Sequence, residues 1–276
     1  MVGLREDSLF AGERRAPADL IVFVMVLTLL LGYGLGVQVA SMPWILISLI
    51  GYSLVCLFFR AFRRQLGVAV AYLGLAGGLY LGTFLTVRLL PAELMARPEA
   101  ANFSLKAIWT LTVLVAALGT IRNPSQLVPR VGTVTFKWAL IGLGLAASFL
   151  LWYGFWYQPP GPVVQAAHLA TGWWAVTALV VFFGLSNGFF EEYLFRGLIQ
   201  TQLVKLLGPH WGINAQALLF ALMHAGVTSR PHGPAGGVVA GLLGWILGYG
   251  THRTRGLAWA VVVHAICDAG LMLIGF

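Results

Sequence analysis

NGFFEEYLFRG, residues 187–197, places two adjacent carboxylates and an arginine between long apolar runs. An ionisable residue at membrane depth is costly, so each of these three side chains is a candidate functional group that needs a partner. If the stretch is helical, Glu192 and Arg196 are i,i+4 neighbours and can form an ion pair. Glu191 lies about 100° away around the helix axis and has no local partner. We therefore predict that Arg196 holds Glu192, while Glu191 is free to act.

The composition of the whole chain is typical of helical membrane proteins. Hydrophobic residues make up 59% of its 276 residues and charged residues only 9%, whereas a soluble globular protein carries about a quarter charged residues. Several apolar runs approach the roughly 20 residues that cross a bilayer as a helix. We expect an all-α, polytopic transmembrane helical bundle, a multi-pass integral protein of the cell (inner) membrane that is surrounded by the lipid bilayer.

Nine apolar segments are long enough to be predicted as spans. They are residues 18–36, 43–59, 67–87, 105–121, 136–156, 172–198, 211–227, 233–250 and 257–276. Lysines and arginines concentrate in alternate loops, which places the N-terminus in the cytoplasm by the positive-inside rule. Arg88, Arg97 and Lys106 fall in an opposite-side loop and dilute this pattern. If one of these segments is re-entrant, the number of spans is eight and the C-terminus lies on the opposite side of the membrane.

The net charge of +8 is explained by these loops. No basic aromatic surface accompanies the charge, so we expect no nucleic-acid partner. The chain divides at the proline-rich connection 158–162. Residues 1–17 form a predicted cytosolic tail, residues 18–157 a transmembrane scaffold, and residues 172–276 a core that holds the intramembrane acids and histidines.

Two features of the second half concern helix geometry. Glycines recur every four residues at Gly233, Gly237 and Gly241, a spacing that lets membrane helices approach closely. A straight helix over residues 172–207 would be about 54 Å long, which exceeds the bilayer. We therefore expect a break near Gly184 or Gly188, or a strong tilt.

Three further polar residues, His224, His264 and Asp268, lie within apolar runs of the second half. His264 and Asp268 are i,i+4 neighbours on one helix face. At about 1.5 Å rise per residue, these three side chains and Glu191 reach similar depths and can meet. A carboxylate beside a histidine can take a proton from water and return it to a leaving amine. Two histidines and a carboxylate also match the ligand count of a catalytic zinc site, so both hydrolytic arrangements stay open.

The order of these motifs along the chain resembles a known protein family. The motifs are Glu191-Glu192-x-x-x-Arg196, Phe220-x-x-x-His224 and His264-x-x-x-Asp268. This ordered set resembles the CAAX protease and bacteriocin-processing family of intramembrane proteases, which includes the type II CAAX prenyl endopeptidases. The resemblance covers roughly residue 172 to the C-terminus. It implies an endopeptidase whose substrate is a membrane-anchored or lipid-modified protein.

The resemblance also implies roles for individual residues. Glu191 would be the general base acting through water, and His224 and His264 would position that water or a metal. Asp268 stands where the family often has asparagine, and its negative charge suits a metal ligand better than a neutral oxyanion donor. A divalent metal, zinc, held by His224, His264 and Asp268 is therefore the candidate cofactor, and the arrangement without a metal stays open.

Structural interpretations stand beside these catalytic ones. Glu192 and Arg196 are expected to form a structural pair that orients their neighbour, because a buried charge needs its partner. Cys267 follows His264 by three residues, which permits a Cys/His protease, but a small buried hydrophobic residue is the simpler interpretation. The remaining histidines near span ends or loops are expected to be interfacial; they are His168, His210, His232 and His252.

Two other functions compete with proteolysis. A bacteriocin-immunity or partner-binding protein on the same scaffold would tolerate loss of the acid and both histidines, yet all are present. A proton-coupled transporter would show inverted repeats with paired broken helices, and the sequence contains no second copy of the motifs. We therefore expect an enzyme, an intramembrane protease of the CAAX type.

Overall fold

A computed structural model describes residues 128–156, 162–225 and 234–275, together with single residues between 85 and 118. The predicted cytosolic tail 1–17 and the predicted spans 18–36 and 43–59 lie outside the described residues. So do nearly all of the predicted span 67–87 and eight of the 17 residues of the predicted span 105–121. The number of spans, their orientation and the division into scaffold and core therefore stay predictions.

The described part of the chain is helical, and the described ranges contain no strand. The elements are α1 (Phe136–Trp156), α2 (Pro162–Glu192), a π-helical segment (Tyr193–Gln200), α3 (Thr201–His224), α4 (Pro234–Thr254) and α5 (Ala258–Gly275). The predicted all-α class is confirmed for these ranges. The predicted span 136–156 has the same bounds as α1. The predicted span 172–198 lies within α2 and the π-helical segment, and the last three spans overlap α3, α4 and α5 with different bounds.

α1 is the described helix whose length and composition suit a bilayer. Its residues Phe136–Phe155 form an apolar run of 20 residues, which corresponds to about 30 Å of helix. Among the described residues, α1 is the one helix that is both long and apolar enough to cross a membrane. α5 contains a shorter apolar run, Ala258–Leu273. Large apolar side chains of α1 such as Leu143 and Leu151 are exposed in the isolated chain.

The long helix predicted over residues 172–207 is interrupted, but elsewhere than expected. α2 continues unbroken through Gly184 and Gly188, and the interruption is the π-helical segment that follows Glu192. A second interruption lies inside α3 at Gly208, whose φ of 79° is accessible to glycine at little cost. Pro209 follows, at a position where a helix needs no backbone N–H. The predicted break near Gly184 or Gly188 is therefore wrong.

The two glycines of α2 serve helix packing instead. A Cβ atom added at Gly184 would lie 2.7 Å from the carbonyl oxygen of Ala265, and one at Gly188 would lie 3.1 Å from the backbone nitrogen of Ala265. Only glycine leaves room for α5 to approach α2 this closely. This approach places His264 of α5 beside the last turn of α2.

The other packing contacts hold α5 in position. α3 packs along α4, and α5 packs along α2 and α1. The backbone before α1 binds the turn between α4 and α5: the Thr133 N–H donates to the Thr254 carbonyl at 2.8 Å, and the Leu257 N–H donates to the Arg130 carbonyl at 2.8 Å. The start of α5 is thus fixed by backbone hydrogen bonds from a segment more than 120 residues before it in the chain.

Candidate active site

Glu191, at the end of α2, lies at the centre of the polar cluster and is 4% exposed. Its Oε1 atom forms an ion pair with the ammonium group of Lys106. Its Oε2 atom is buried and has no hydrogen-bond partner among the described residues. The prediction that Glu191 is free is therefore wrong for one oxygen, because a cation from the first half of the chain reaches it. The other oxygen faces the histidines.

The two predicted histidines converge on that oxygen from different helices. The Nε2 atom of His224, at the end of α3, and the Nε2 atom of His264, in α5, each lie 3.8 Å from Glu191 Oε2. These separations exceed a direct hydrogen bond but can be bridged by one water molecule. The structure therefore brings together Glu191, His224 and His264 as the sequence predicts.

Each histidine is oriented through its other ring nitrogen. His224 Nδ1 lies 2.8 Å from the backbone carbonyl oxygen of Phe220. A carbonyl oxygen only accepts, so Nδ1 carries the proton and the Nε2 of a neutral His224 presents its lone pair to the site. His264 Nδ1 lies 2.7 Å from Glu192 Oε1. That carboxylate likewise accepts from Nδ1, so both rings turn Nε2 toward Glu191.

Glu192 joins the two predicted parts of the site. Its Oε1 atom accepts from Arg196 Nη1 at 2.8 Å, as the i,i+4 spacing predicts, and also from His264. The side chains of Glu192 and Arg196 are both fully buried. The ion pair therefore stabilises the buried interior. Through its contact with His264 it also orients the imidazole that faces Glu191. The sequence indicated the first of these contacts and missed the second.

A row of buried polar side chains extends from this pair along α4. Arg196 Nη2 donates to the Gly244 carbonyl at 3.2 Å, and one turn later Gln200 Nε2 donates to the Gly248 carbonyl at 2.9 Å. A Cβ atom at Gly248 would lie 2.6 Å from Gln200 Oε1. The glycine spacing of α4 thus lets polar groups reach backbone carbonyls, in addition to the helix packing that the sequence predicts.

Phe220 is the apolar support of the cluster. The Arg196 guanidinium lies 4.5 Å from the centre of its ring. The ring of His224 lies 4.3 Å from it and that of His264 6.2 Å. A cation and two imidazoles therefore share one aromatic platform, which restricts their side-chain rotation.

Asp268 lies in the cluster but has a different partner from the one expected. Asn187 Nδ2, one turn before Glu191, donates to Asp268 Oδ2 at 2.7 Å, and His264 Nε2 lies 3.6 Å from the same oxygen. Within the described ranges no three His, Cys, Asp or Glu side chains are grouped as metal ligands. The zinc site predicted from His224, His264 and Asp268 therefore stays a prediction.

Cys267 is 1% exposed and packs in an apolar cluster with Trp259, Val263 and Leu247. These surroundings agree with the interpretation of Cys267 as a small buried hydrophobic residue. Of the other histidines, His210 lies just after the Gly208 interruption and His252 in the last turn of α4.

Three residues of the cluster were missed by the sequence analysis. Asn187 and Gln200 lie one turn before Glu191 and one turn after Arg196, so helical spacing was a signal that could have found them. Lys106 was assigned to a loop, whereas the structure places it in helical conformation beside Glu191. Its only sequence signal was a cation at the edge of a predicted span.

Comparison with known proteins adds one finding. The family model described as type II CAAX prenyl endopeptidase Rce1-like matches residues 171–270. The matched segment includes Glu191, His224, His264 and Asp268, and it excludes Lys106. Proteins of this family are integral membrane proteases that act on prenylated membrane proteins. A comparison with curated proteins and one with solved structures found no match.

Proposed function

We propose that this chain cleaves a peptide bond near the C-terminus of a prenylated membrane protein. The proposal is supported by the match of residues 171–270 to the family model of type II CAAX prenyl endopeptidases. The observation that carries the proposal is the convergence of His224 and His264 on the Oε2 atom of Glu191, which has no hydrogen-bond partner among the described residues. Hydrolysis needs a water molecule held between a base and an orienting group, and these three side chains have the separation that one water bridges.

In the proposed reaction, Glu191 Oε2 takes a proton from the water as its oxygen attacks the carbonyl carbon. His224 Nε2 accepts the second hydrogen bond of that water, because its Nδ1 proton is committed to Phe220. Glu191 then returns the proton to the leaving nitrogen when the carbon–nitrogen bond breaks. The products are a carboxylic acid and an amine, and the protein ends in its starting protonation state.

His264 is proposed to stabilise the negative charge that develops on the carbonyl oxygen. Its Nδ1 donates to Glu192, and its Nε2 faces the carboxylates of Glu191 and Asp268. A protonated His264 can donate from Nε2 to an oxyanion, and a donor held in place before the reaction is worth several kcal/mol, roughly 2.7–4 kcal/mol in measured cases. Glu192 and Arg196 act through His264 and are positioning residues in this scheme.

A reporter assay tests the function. Purified protein in liposomes is expected to cleave a peptide ending in a prenylated C-a-a-X sequence at least about tenfold faster, in kcat/KM, than the same peptide without the lipid. Burial of only about two methylene groups of the lipid contributes about 1.6 kcal/mol, enough for tenfold. Mass spectrometry of the products identifies the bond that is cut.

The control for the assay is Glu191→Gln protein prepared in parallel. Equal cleavage rates for both proteins would mean that the observed activity does not depend on Glu191. Cleavage by neither would favour a non-proteolytic role, namely immunity or partner binding on the same scaffold. Equal cleavage rates with and without the lipid would support the protease activity but would contradict the proposal that the substrate is prenylated.

Asp268→Asn is expected to keep activity within about threefold of the wild type. An asparagine oxygen can still accept the Asn187 hydrogen bond and can still face the Nε2 atom of His264. If instead Asp268, His224 and His264 hold zinc, loss of the charged ligand lowers metal affinity. Elemental analysis of both purified proteins distinguishes the site with zinc from the site without a metal. Activity is measured before and after exhaustive chelation. Bound zinc in the wild type, lost in Asp268→Asn together with activity, would contradict the expected result.

A further inference from the structure

Lys106, a residue of the first half of the chain, reaches the cluster. It precedes Glu191 by 85 residues, lies outside the segment matched by the family model, and pairs with Glu191 Oε1. Its own side chain is 16% exposed, so the ammonium group retains limited contact with the surroundings. Neither the family resemblance nor the family match assigns it a role.

The two oxygens of Glu191 have different surroundings, and this difference depends on Lys106. Oε1 pairs with the ammonium group, while Oε2 has no hydrogen-bond partner among the described residues and lies 3.8 Å from both histidine Nε2 atoms. A carboxylate held at one oxygen cannot rotate about its terminal bond without breaking the ion pair. The free oxygen therefore keeps its direction between the two rings.

The charges around Glu191 show why a cation is needed there. Two further carboxylates lie in the same cluster, Glu192 on the neighbouring position and Asp268 on α5. Arg196 is committed to Glu192 and to Gly244. Among the described residues, Lys106 is the cation that contacts Glu191 other than the two histidines. A buried carboxylate without such a partner is strongly unfavourable.

We propose that Lys106 is a positioning residue for Glu191: its ammonium group anchors Oε1 so that Oε2 points at the water between His224 and His264. This proposal rests on the proposed function, in which Glu191 is the base. It also means that the first half of the chain, predicted as a packing scaffold, contributes a side chain to the catalytic machinery. Lys106 does not touch the reacting atoms in this scheme.

The first arm of the test is steady-state kinetics on the prenylated reporter. Lys106→Met is expected to lower kcat roughly 100-fold, because misplacement of a catalytic group by about 1 Å costs about that much. KM should stay within about twofold, since the substrate does not contact the lysine in this scheme. Lys106→Arg, which keeps the cation, should recover most of the lost kcat. Lys137→Met, at an exposed lysine at the start of α1, is the matched control and should behave as wild type.

The kinetic outcomes separate the alternatives. An unchanged kcat in Lys106→Met would overturn the proposal. A raised KM with normal kcat would also overturn it, because Lys106 would then bind substrate. If Lys106→Arg melts like wild type but does not recover kcat, the proposal that the positive charge of Lys106 anchors Glu191 would be contradicted.

The second arm does not depend on activity. Thermal melting in detergent is compared for Lys106→Met, Glu191→Gln and the double variant. If the lysine anchors the carboxylate, Lys106→Met lowers Tm by several degrees and the added Glu191→Gln recovers at least half of that loss. Additive Tm shifts would overturn the proposal. If wild-type protein cleaves no reporter, the proposed function fails, and this comparison still decides whether Lys106 holds Glu191.

Discussion

Glu191→Gln is expected to lower kcat on the prenylated reporter by roughly 10²–10⁴-fold, the range typical for loss of a general base. The amide keeps the size of the side chain and can still contact Lys106, but it cannot accept a proton from water. KM should change little, because the substitution removes no side chain from the surface that the substrate meets. Product formation measured by mass spectrometry under single-turnover conditions checks the chemical step directly.

Two controls separate the loss of the base from a loss of folding. Glu191→Gln leaves the Lys106 ammonium beside a neutral amide, so its melting temperature is compared with that of Glu191→Gln/Lys106→Met. Glu191→Asp keeps the carboxylate but withdraws it, and it should retain more activity than Glu191→Gln. Activity of Glu191→Gln within tenfold of wild type would show that another group activates the water.

Arg196→Met is expected to destabilise the protein by about 3–5 kcal/mol, the cost of leaving one partner of a buried ion pair alone. Arg196 and Glu192 are both fully buried, and the arginine also lies over the Phe220 ring. The measurement is the midpoint of thermal or denaturant unfolding in a defined detergent, with folded yield after purification as a second measure. A melting curve identical to wild type would contradict the expected result.

A matched series identifies the cause of that loss. Glu192→Gln/Arg196→Met removes both charges and should recover much of the stability lost in Arg196→Met. Its activity should rise no higher than that of Glu192→Gln alone, because in both variants His264 lacks the carboxylate that accepts the hydrogen bond from Nδ1. Glu192→Gln alone should fold less well than wild type and keep some activity. Normal folding of Glu192→Gln with complete inactivity would mean that Glu192, rather than Glu191, is the base.

Local spacing accounts for the contacts that could be predicted. Glu192 and Arg196 are four residues apart and meet even though the π-helical segment begins between them. His264 and Asp268 have the same spacing and also meet, at 3.6 Å. The bounds of α1 agree with the predicted span because an apolar run of membrane length has one stable conformation in a bilayer, a helix with all backbone groups paired.

The contacts that escaped prediction join residues far apart in the sequence. The Glu192 contact with His264 spans 72 residues, and the Asn187 contact with Asp268 spans 81. No periodicity within one helix contains information about such pairs, because they depend on which helix faces meet. Lys106 is the clearest case, since its position at the edge of an apolar run is equally compatible with a loop.

The amino-acid sequence alone thus specifies the helical class, the order of the motifs and which side chains share a helix face, since these follow from composition and from the 3.6-residue repeat. Tertiary packing decides what the side chains do. Gly184 and Gly188 let α5 approach α2, and this approach brings His264 to Glu191. The same packing gives the two oxygens of Glu191 different partners. Polar side chains from three separate helical segments contact this one carboxylate.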